Sequence, residues 1–379
     1  MDKKLRILQA IDEFLPNINT SIRAIDNYTK NLNDKAEVIV AALSDKEDVF
    51  QYLPYNVVYS KSKSQLINKL LALDFDILHV HSIGIMSDII LKLKKQKRIP
   101  AVISVHKNYI DIINNNNSSL SAKIKIKKLI KKLNAFDEVF VPSPYVAQDL
   151  RKYGLTSMVS YMPLASDLNV NKDLTQLKRQ ANKEYDLTQQ DLVLVSVCNL
   201  NKFKRLDFAL EALSLVKKQG VDFKYFIIGK GSEFDNLKQL TKDLHLTNNV
   251  TFTGYMEDED MAKLVARANL MLFPTTSDIF GLCKVESAGL DTAGVFIKNS
   301  YVAHDIFDGI NGFTSHNTSQ DFANKIVEAL KDKNRLFEIG QNANKELYVD
   351  WDTCTKILFE RMQGILSENK AVAKIKNKN

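Results

Sequence analysis

FPTTSDIFGLCKVE, residues 273–286, sets two carboxylates, Asp278 and Glu286, eight residues apart around a Phe280-Gly281-Leu282 turn. The Pro-Thr-Thr-Ser run predicts a strand ending in a loop, and VESAGL after it predicts a helix. Two acids at the mouth of a strand-loop-helix unit can hold hydroxyl groups, because a carboxylate accepts paired hydrogen bonds from vicinal diols. Backbone N–H groups at the start of the helix can hold phosphate. A ligand with diols beside phosphates is a nucleotide sugar, and that is the ligand class this stretch leads one to expect.

Working outward, short β-type runs alternate with helical stretches. ILQAI (7–11), AEVIVAAL (36–43), DILHVHS (76–82), PAVISVH (100–106) and EVFVPS (138–143) read as strands in the first half. DLVLVSVCNL (191–200), KYFIIGKG (224–231), VTFTGY (250–255), NLMLFPT (269–275) and GVFIKN (294–299) restart the pattern. Strands alternating with helices predict an α/β fold with doubly wound parallel sheets. A polar, strand-free stretch over 166–190 separates two such series, which predicts two Rossmann-like domains. An amphipathic helix is expected over 347–366, and IINNNNSS (112–119) reads as a mobile polar loop.

The bulk numbers fit a two-domain globular protein: 379 residues, 45% hydrophobic and 26% charged. No run of 18 apolar residues predicts a membrane-spanning helix. The start, MDKKLRILQAIDEFL, mixes charges of both signs and does not read as a secretory signal. Three cysteines far apart point to a reducing, cytoplasmic setting, and six histidines without HxxxH spacing predict no structural zinc. DFD (74–76) and EDED (257–260) could be mistaken for metal-binding acids. DFD precedes an apolar strand rather than ending one, and EDED opens a helix, where acids favour the positive end of the dipole. Both are read as structural, and no catalytic metal is expected.

The net charge of +7 is concentrated in KLKKQKR (92–98), AKIKIKKLIKKL (122–133) and KAVAKIKNK (370–378). Leu120, Ile124, Ile126, Leu129, Ile130 and Leu133 would give a Lys-rich helix over 119–136 a broad apolar face. Two readings stand side by side. One is an interfacial helix on anionic lipid; the other is a core-packed helix with a solvated basic face. No aromatic-basic interleaving or recognition motif points to nucleic acid.

The segment PTTSDIFGLCKVESAGLDTAG resembles the E-x7-E signature of retaining glycosyltransferases of family 4, which have the GT-B fold. Asp278 replaces the first Glu, and the closing Pro is missing. SYVAHDIFDGINGF (300–313) is similar to the family's DGxNGF segment. VSVCNLNKFKRLDFALEAL (195–213) is similar to GRLxxxKGxDxLIxA, with Asn199 in place of Arg and Lys204 on the phosphate-binding Lys. EFLPNINTSIRAID (13–26) is similar to the family's first loop, with Asn19-Thr20 where Gly-Gly is usual.

The resemblance implies two Rossmann-like domains facing across a cleft. An acceptor-side domain would span 1–167, a linker 168–190 and a nucleotide-sugar domain 191–346, with a helix and basic tail over 347–379 packing back on the first. Glu286 would bind the ribose and Asp278 the sugar hydroxyls. Lys204, with Lys202 or Arg205 and the amides of Gly281 and Leu282, would neutralise the diphosphate. Asn19, Thr20, Asn199, Gly229, Tyr255 and Phe280 would complete the donor site, with Met256 a further candidate beside Tyr255. His106 would hydrogen-bond a sugar hydroxyl or stabilise charge, whereas His81 is a weaker candidate and His79 reads as structural.

The implied reaction is transfer of a hexose from a nucleoside diphosphate, with UDP the expected nucleotide, to a hydroxyl of a cell-envelope glycan, glycolipid or protein, with retention and without a cofactor. Lys-, Asn- and Ile-heavy usage suits an AT-rich bacterial genome and envelope work. The expected place is the cytoplasm or the inner face of the plasma membrane. The alternative is an inactive GT-B-fold binding subunit, for which the altered Asn19-Thr20 and Asn199 positions speak. A Rossmann dehydrogenase is disfavoured, since no GxGxxG follows the first strand.

Overall fold

The computed structural model describes residues 4–16, 19–168, 173–279 and 281–376. The chain forms two compact units, Met1–Pro163 with Trp351–Asn379, and Leu164–Asp350. The first unit is built on β1 (Leu5–Ile11), β2 (Ala36–Ala42), β3 (Asn56–Tyr59), β4 (Ile77–Val80), β5 (Ala101–Ser104), β6 (Glu138–Val141) and β7 (Met158–Tyr161). These seven strands pair in parallel in the order β3-β2-β1-β4-β5-β6-β7.

The second unit holds β8 (Val193–Val197), β9 (Lys224–Ile228), β10 (Val250–Gly254), β11 (Leu270–Phe273), β12 (Gly294–Ile297) and β13 (Phe313–Ser315). Its six-stranded order, β10-β9-β8-β11-β12-β13, is that of the doubly wound dinucleotide-binding fold. Strand order reverses between β1 and β4 in one sheet and between β8 and β11 in the other. Loops leaving two such neighbours turn to opposite faces and open a crevice beyond the carboxyl ends of the strands.

The interior strands are continuous apolar runs. ILHV, AVIS, LMLF and GVFI are buried at every position, as expected of parallel strands covered on both faces. The sequence pattern missed β3, β7 and β13, and each lies at a sheet edge. The polar run at 112–119 also reads differently in three dimensions. Residues through Asn115 belong to the helix Tyr109–Asn115, and Ser119 opens the next. Asn108 caps the first helix through Asp111 N (3.2 Å), and the Asn116 and Asn117 side chains donate back to Ile112 O and Ile113 O. Asparagine here satisfies helix ends rather than lengthening a loop.

The stretch expected as a linker over 168–190 is part of the second unit where it is described. Its helix Leu174–Glu184 is capped by Asp173 and packs on the helix Asp258–Arg267. Arg267 secures it by donating to Asn182 Oδ1 at 2.6 Å and Thr188 O at 2.7 Å. The helix expected over 347–366 is Trp351–Lys376, which belongs to the first unit; Leu347 instead ends the helix Lys333–Leu347 of the second.

The returning helix is fastened in three ways. Trp351 packs edge-on against Tyr28, the Cys354 thiol donates to Pro163 O, and Arg361 forks onto the buried Glu138 at 2.6–3.0 Å. Glu138 is buried and Arg361 partly exposed, so losing Arg361 would leave a buried carboxylate without its cation.

The acid runs have the structural uses read from their placement. Asp74 and Asp76 pair with Arg6, and Asp258, Glu259 and Asp260 fill the first turn of a helix. The Lys-rich helix is Ser119–Leu133; Ile126, Leu129, Ile130 and Leu133 enter the core while Leu120 and Ile124 remain exposed. Its apolar face is therefore mostly spent on packing.

Candidate functional site

In the second unit, the loops after β8 and β11 meet at the point of strand-order reversal. After β8 the chain passes Cys198–Asn201, makes one 3-10 turn over Lys202–Lys204, and enters the helix Leu206–Lys218 through Arg205, whose φ of 52° is left-handed. After β11 it runs from Pro274 to Gly281 and enters the helix Leu282–Gly289.

The Thr275 hydroxyl sews these loops together. It donates to Phe203 O at 2.9 Å and accepts from Ser277 N at 3.4 Å and Asp278 N at 3.3 Å. Arg205 adds a second tie, donating to Pro274 O (3.2 Å) and Asn317 Oδ1 (2.8 Å) while its guanidinium lies 4.3 Å over Phe208. Arg205 thus ties the two loops through Nη1.

Lys204 Nζ and Asp278 Oδ2 form an ion pair between side chains 25% and 20% exposed, and Asp278 Oδ1 accepts from Gly281 N at 3.4 Å. Glu286 lies one helical turn past Cys283 and is buried. The Cys283 thiol registers all of these groups. Burial pushes its pKa well up; the Glu286 carboxylate adds to that, Lys204 opposes it, and Cys198 and Asp278 raise it further. Burial likewise pushes the Cys198 thiol up to about 11, against the pull of Lys204. Burial alone would lower the Lys204 ammonium, but the Asp278 carboxylate outweighs it and the net shift is upward. Lys204 therefore stays charged at neutral pH.

The neighbouring residues fall into place around this centre. Gly281 has φ 58°, and a Cβ there would come within 2.7 Å of Val302 Cγ2. Asn199 is exposed at the loop's start. Gly229 (φ 139°) lets the β9 loop close on the β8 loop, since a Cβ would sit 1.9 Å from Cys198 O. Its N–H donates to Gly254 O at 2.7 Å, and Tyr255 beyond it is 51% exposed, whereas Met256 packs on the core. Phe280 lies outside the described residues.

Sequence reasoning did not single out Thr275 or Lys284. Lys284 is buried two residues before Glu286 and donates to Asp305 at 2.7 and 2.9 Å and to Val302 O at 3.2 Å. A lysine inside an otherwise apolar helix start was the available signal.

The first unit has a different centre at its own reversal point. His81, just past β4, meets Gln9 Oε1 through Nε2 at 2.7 Å and His106 Nε2 through Nδ1 at 2.8 Å. His79 meets Ser104 Oγ at 2.7 Å. Burial lowers all three imidazoles, His106 to about 3 with Lys107 contributing, so they are neutral at neutral pH. Of the two roles expected for His106, neutral hydrogen bonding is the one its surroundings favour. Asn19 spends its Oδ1 on capping the helix Thr20–Leu32 through Ile22 N (3.1 Å), with Thr20 opening that helix.

Comparison with known proteins fits these two Rossmann-like units. Residues 28–169 match the model described as Glycosyltransferase Family 4, and residues 178–346 match Glycosyl transferases group 1. The chain is a GT-B glycosyltransferase of the family 4 type.

This glycosyltransferase is 26% identical over 304 residues to N-acetyl-alpha-D-glucosaminyl L-malate synthase of Bacillus anthracis, covering 79% of this chain and 76% of that protein. It is 21% identical over 383 residues to alpha-monoglucosyldiacylglycerol synthase of Streptococcus pneumoniae (strain ATCC BAA-255 / R6), covering 91% and 86%. Among solved structures it is similar to Anabaena Alr3699/HepE in complex with UDP, with a TM-score of 0.79, 17% identity, and coverage of 95% of this chain and 100% of that one.

Proposed function

We propose that this glycosyltransferase moves a hexose from UDP-hexose to a hydroxyl of a cell-envelope glycan, glycolipid or protein, with retention and without a metal. The observation that carries the reading is the meeting of Lys204, Asp278 and the amides of Gly281 and Leu282 at one reversal point, with Glu286 buried a turn beyond. A lysine ammonium beside helix-start amides suits a departing diphosphate. Such charge stabilisation is realised most fully as the sugar–phosphate bond breaks, which is where it lowers the barrier. Glu286 holds the ribose hydroxyls and Asp278 the hexose.

The UDP complex of the structural neighbour supports the choice of nucleotide. The two relatives above, one named for a glucosaminyl malate and one for a glucosyl diacylglycerol, support a small or lipid-linked acceptor. No protein nucleophile is assigned, and a donor phosphate oxygen would assist the incoming hydroxyl.

A donor panel with the purified protein tests this. UDP-hexose should be turned over, with the anomeric configuration kept in the product and EDTA without effect, and Glu286→Ala should be severely impaired. UDP binding without hexose transfer from any donor would instead favour the inactive binding subunit.

The proposed place of action is the cytoplasmic membrane face, reached by residues 119–136. Exposed Leu120 and Ile124 sit there among Lys123, Lys127, Lys128 and Lys131. Each surface lysine adds about 1 kcal/mol of attraction to anionic lipid. Co-sedimentation with phosphatidylglycerol vesicles, but not with phosphatidylcholine vesicles, is the expected result, and Leu120→Ser with Ile124→Ser should reduce it.

A further inference from the structure

We infer that Asp278 is an internal stand-in for the donor's diphosphate, exchanging with it as the ligand arrives and leaves. The inference rests on the donor reading above and gives Asp278 a role beyond holding the hexose. The diphosphate needs two groups in particular, the Lys204 ammonium and the N–H at the mouth of the helix Leu282–Gly289. Both are turned onto one carboxylate in this structure: Oδ2 takes Lys204 Nζ and Oδ1 takes Gly281 N. An anion bridging a cation and a helix-start amide is the arrangement a bound phosphate would adopt.

The backbone around the carboxylate is pinned. Thr275 ties the Asp278 amide to Phe203, and Arg205 ties the other side of Lys204 to Pro274. With the backbone held, the exchange needs only side-chain rotation at Asp278 and Lys204. An arriving diphosphate brings more charge to the same donors and displaces the carboxylate, which turns to the hexose hydroxyls. After transfer the hexose is gone, nothing holds the carboxylate outward, and it returns to Lys204 and helps expel UDP. Asp278 therefore acts with opposite sign on two ligands, competing with UDP and assisting UDP-hexose.

Calorimetric titration of UDP into wild type and Asp278→Asn tests the sign. The variant is expected to bind UDP about tenfold more tightly, because an anion that competes for Lys204 has been removed. Inorganic pyrophosphate should tighten in the same direction, while kcat with UDP-hexose falls. Asp278→Ser retains a hydroxyl acceptor for Gly281 N–H and should give the same sign, which guards against misfolding of a single variant; melting curves check both. Unchanged or weaker UDP binding in the folded variants, with wild type binding UDP, overturns the stand-in and leaves the donor reading intact. Failure of wild type to bind UDP at all overturns both.

Discussion

The two units repeat one topology and fill its reversal point with opposite chemistry. Beyond β8 and β11 the protein places a charged lysine against a carboxylate, with a second buried carboxylate nearby. Around the carboxyl ends of β1, β4 and β5 it places Gln9 and three imidazoles, His79 and His81 buried and His106 half-buried, all three rings kept neutral. A charged centre can trade one anion for another. A neutral, desolvated centre offers fixed hydrogen bonds to hydroxyl groups and discriminates against charge. The same scaffold thus carries a charged cluster in one unit and a neutral one in the other, and side-chain choice alone separates them.

The largest expected effect breaks the charged centre. Glu286→Ala should lower kcat/KM for the nucleotide sugar by about 10²–10³ while melting behaviour is retained; wild-type turnover in that variant would remove Glu286 from the site. Lys204→Met should weaken UDP binding by about a hundredfold, read by titration. Rising salt should erode the wild-type affinity but leave that of the variant nearly flat.

The neutral centre predicts a pH response of defined sign. The His106 pKa is lowered from 6.5 to about 3, and those of His79 and His81 are lowered as well. As pH falls below 6.5 the unfolded chain takes up protons that the folded imidazoles refuse. Their contribution to stability is complete above 6.5 and drains away as pH falls, for His106 between 6.5 and about 3 at up to about 1.4 kcal/mol per pH unit, with His79 and His81 adding in the same direction. Hydrogen exchange in β4 and β5 should accelerate over that window. His106→Asn should flatten the dependence by one histidine's share, and an unchanged slope would mean that these rings are not neutral in the folded state.

The smallest effect sharpens the scaffold's part. Thr275→Val keeps the shape and loses the hydroxyl, and should raise the donor KM about tenfold, with Thr275→Ser recovering most of it. Equal losses in the Val and Ser variants would show that shape, not hydrogen bonding, matters there.

Much of this was legible in the chain. Interior strands such as LMLF and AVIS announce themselves because both faces are buried, and the 273–286 stretch carries its acids and its turn in plain view. β3, β7 and β13 were not legible, since an edge strand bears less of its stability in apolar side chains and more in backbone pairing. The 168–190 stretch read as a linker because its polar helix is held by Arg267, a long-range partner no local pattern reveals. Arg205 reads beside Lys204 as a phosphate partner, and spacing cannot show its ties to Pro274 and Asn317. The Lys204–Asp278 pair joins residues 74 positions apart, so only the strand order shows that they meet.

The return of the last helix to the first unit has a consequence for biogenesis. That unit acquires Trp351, Cys354, Leu358 and Met362, all buried, only after the whole of Leu164–Asp350 has been synthesised. The intervening unit is a topological insertion that has its complete sequence while its host still lacks a wall. Until the chain beyond Trp351 has emerged, the earlier-translated half therefore lacks four of its buried side chains and stays unsealed.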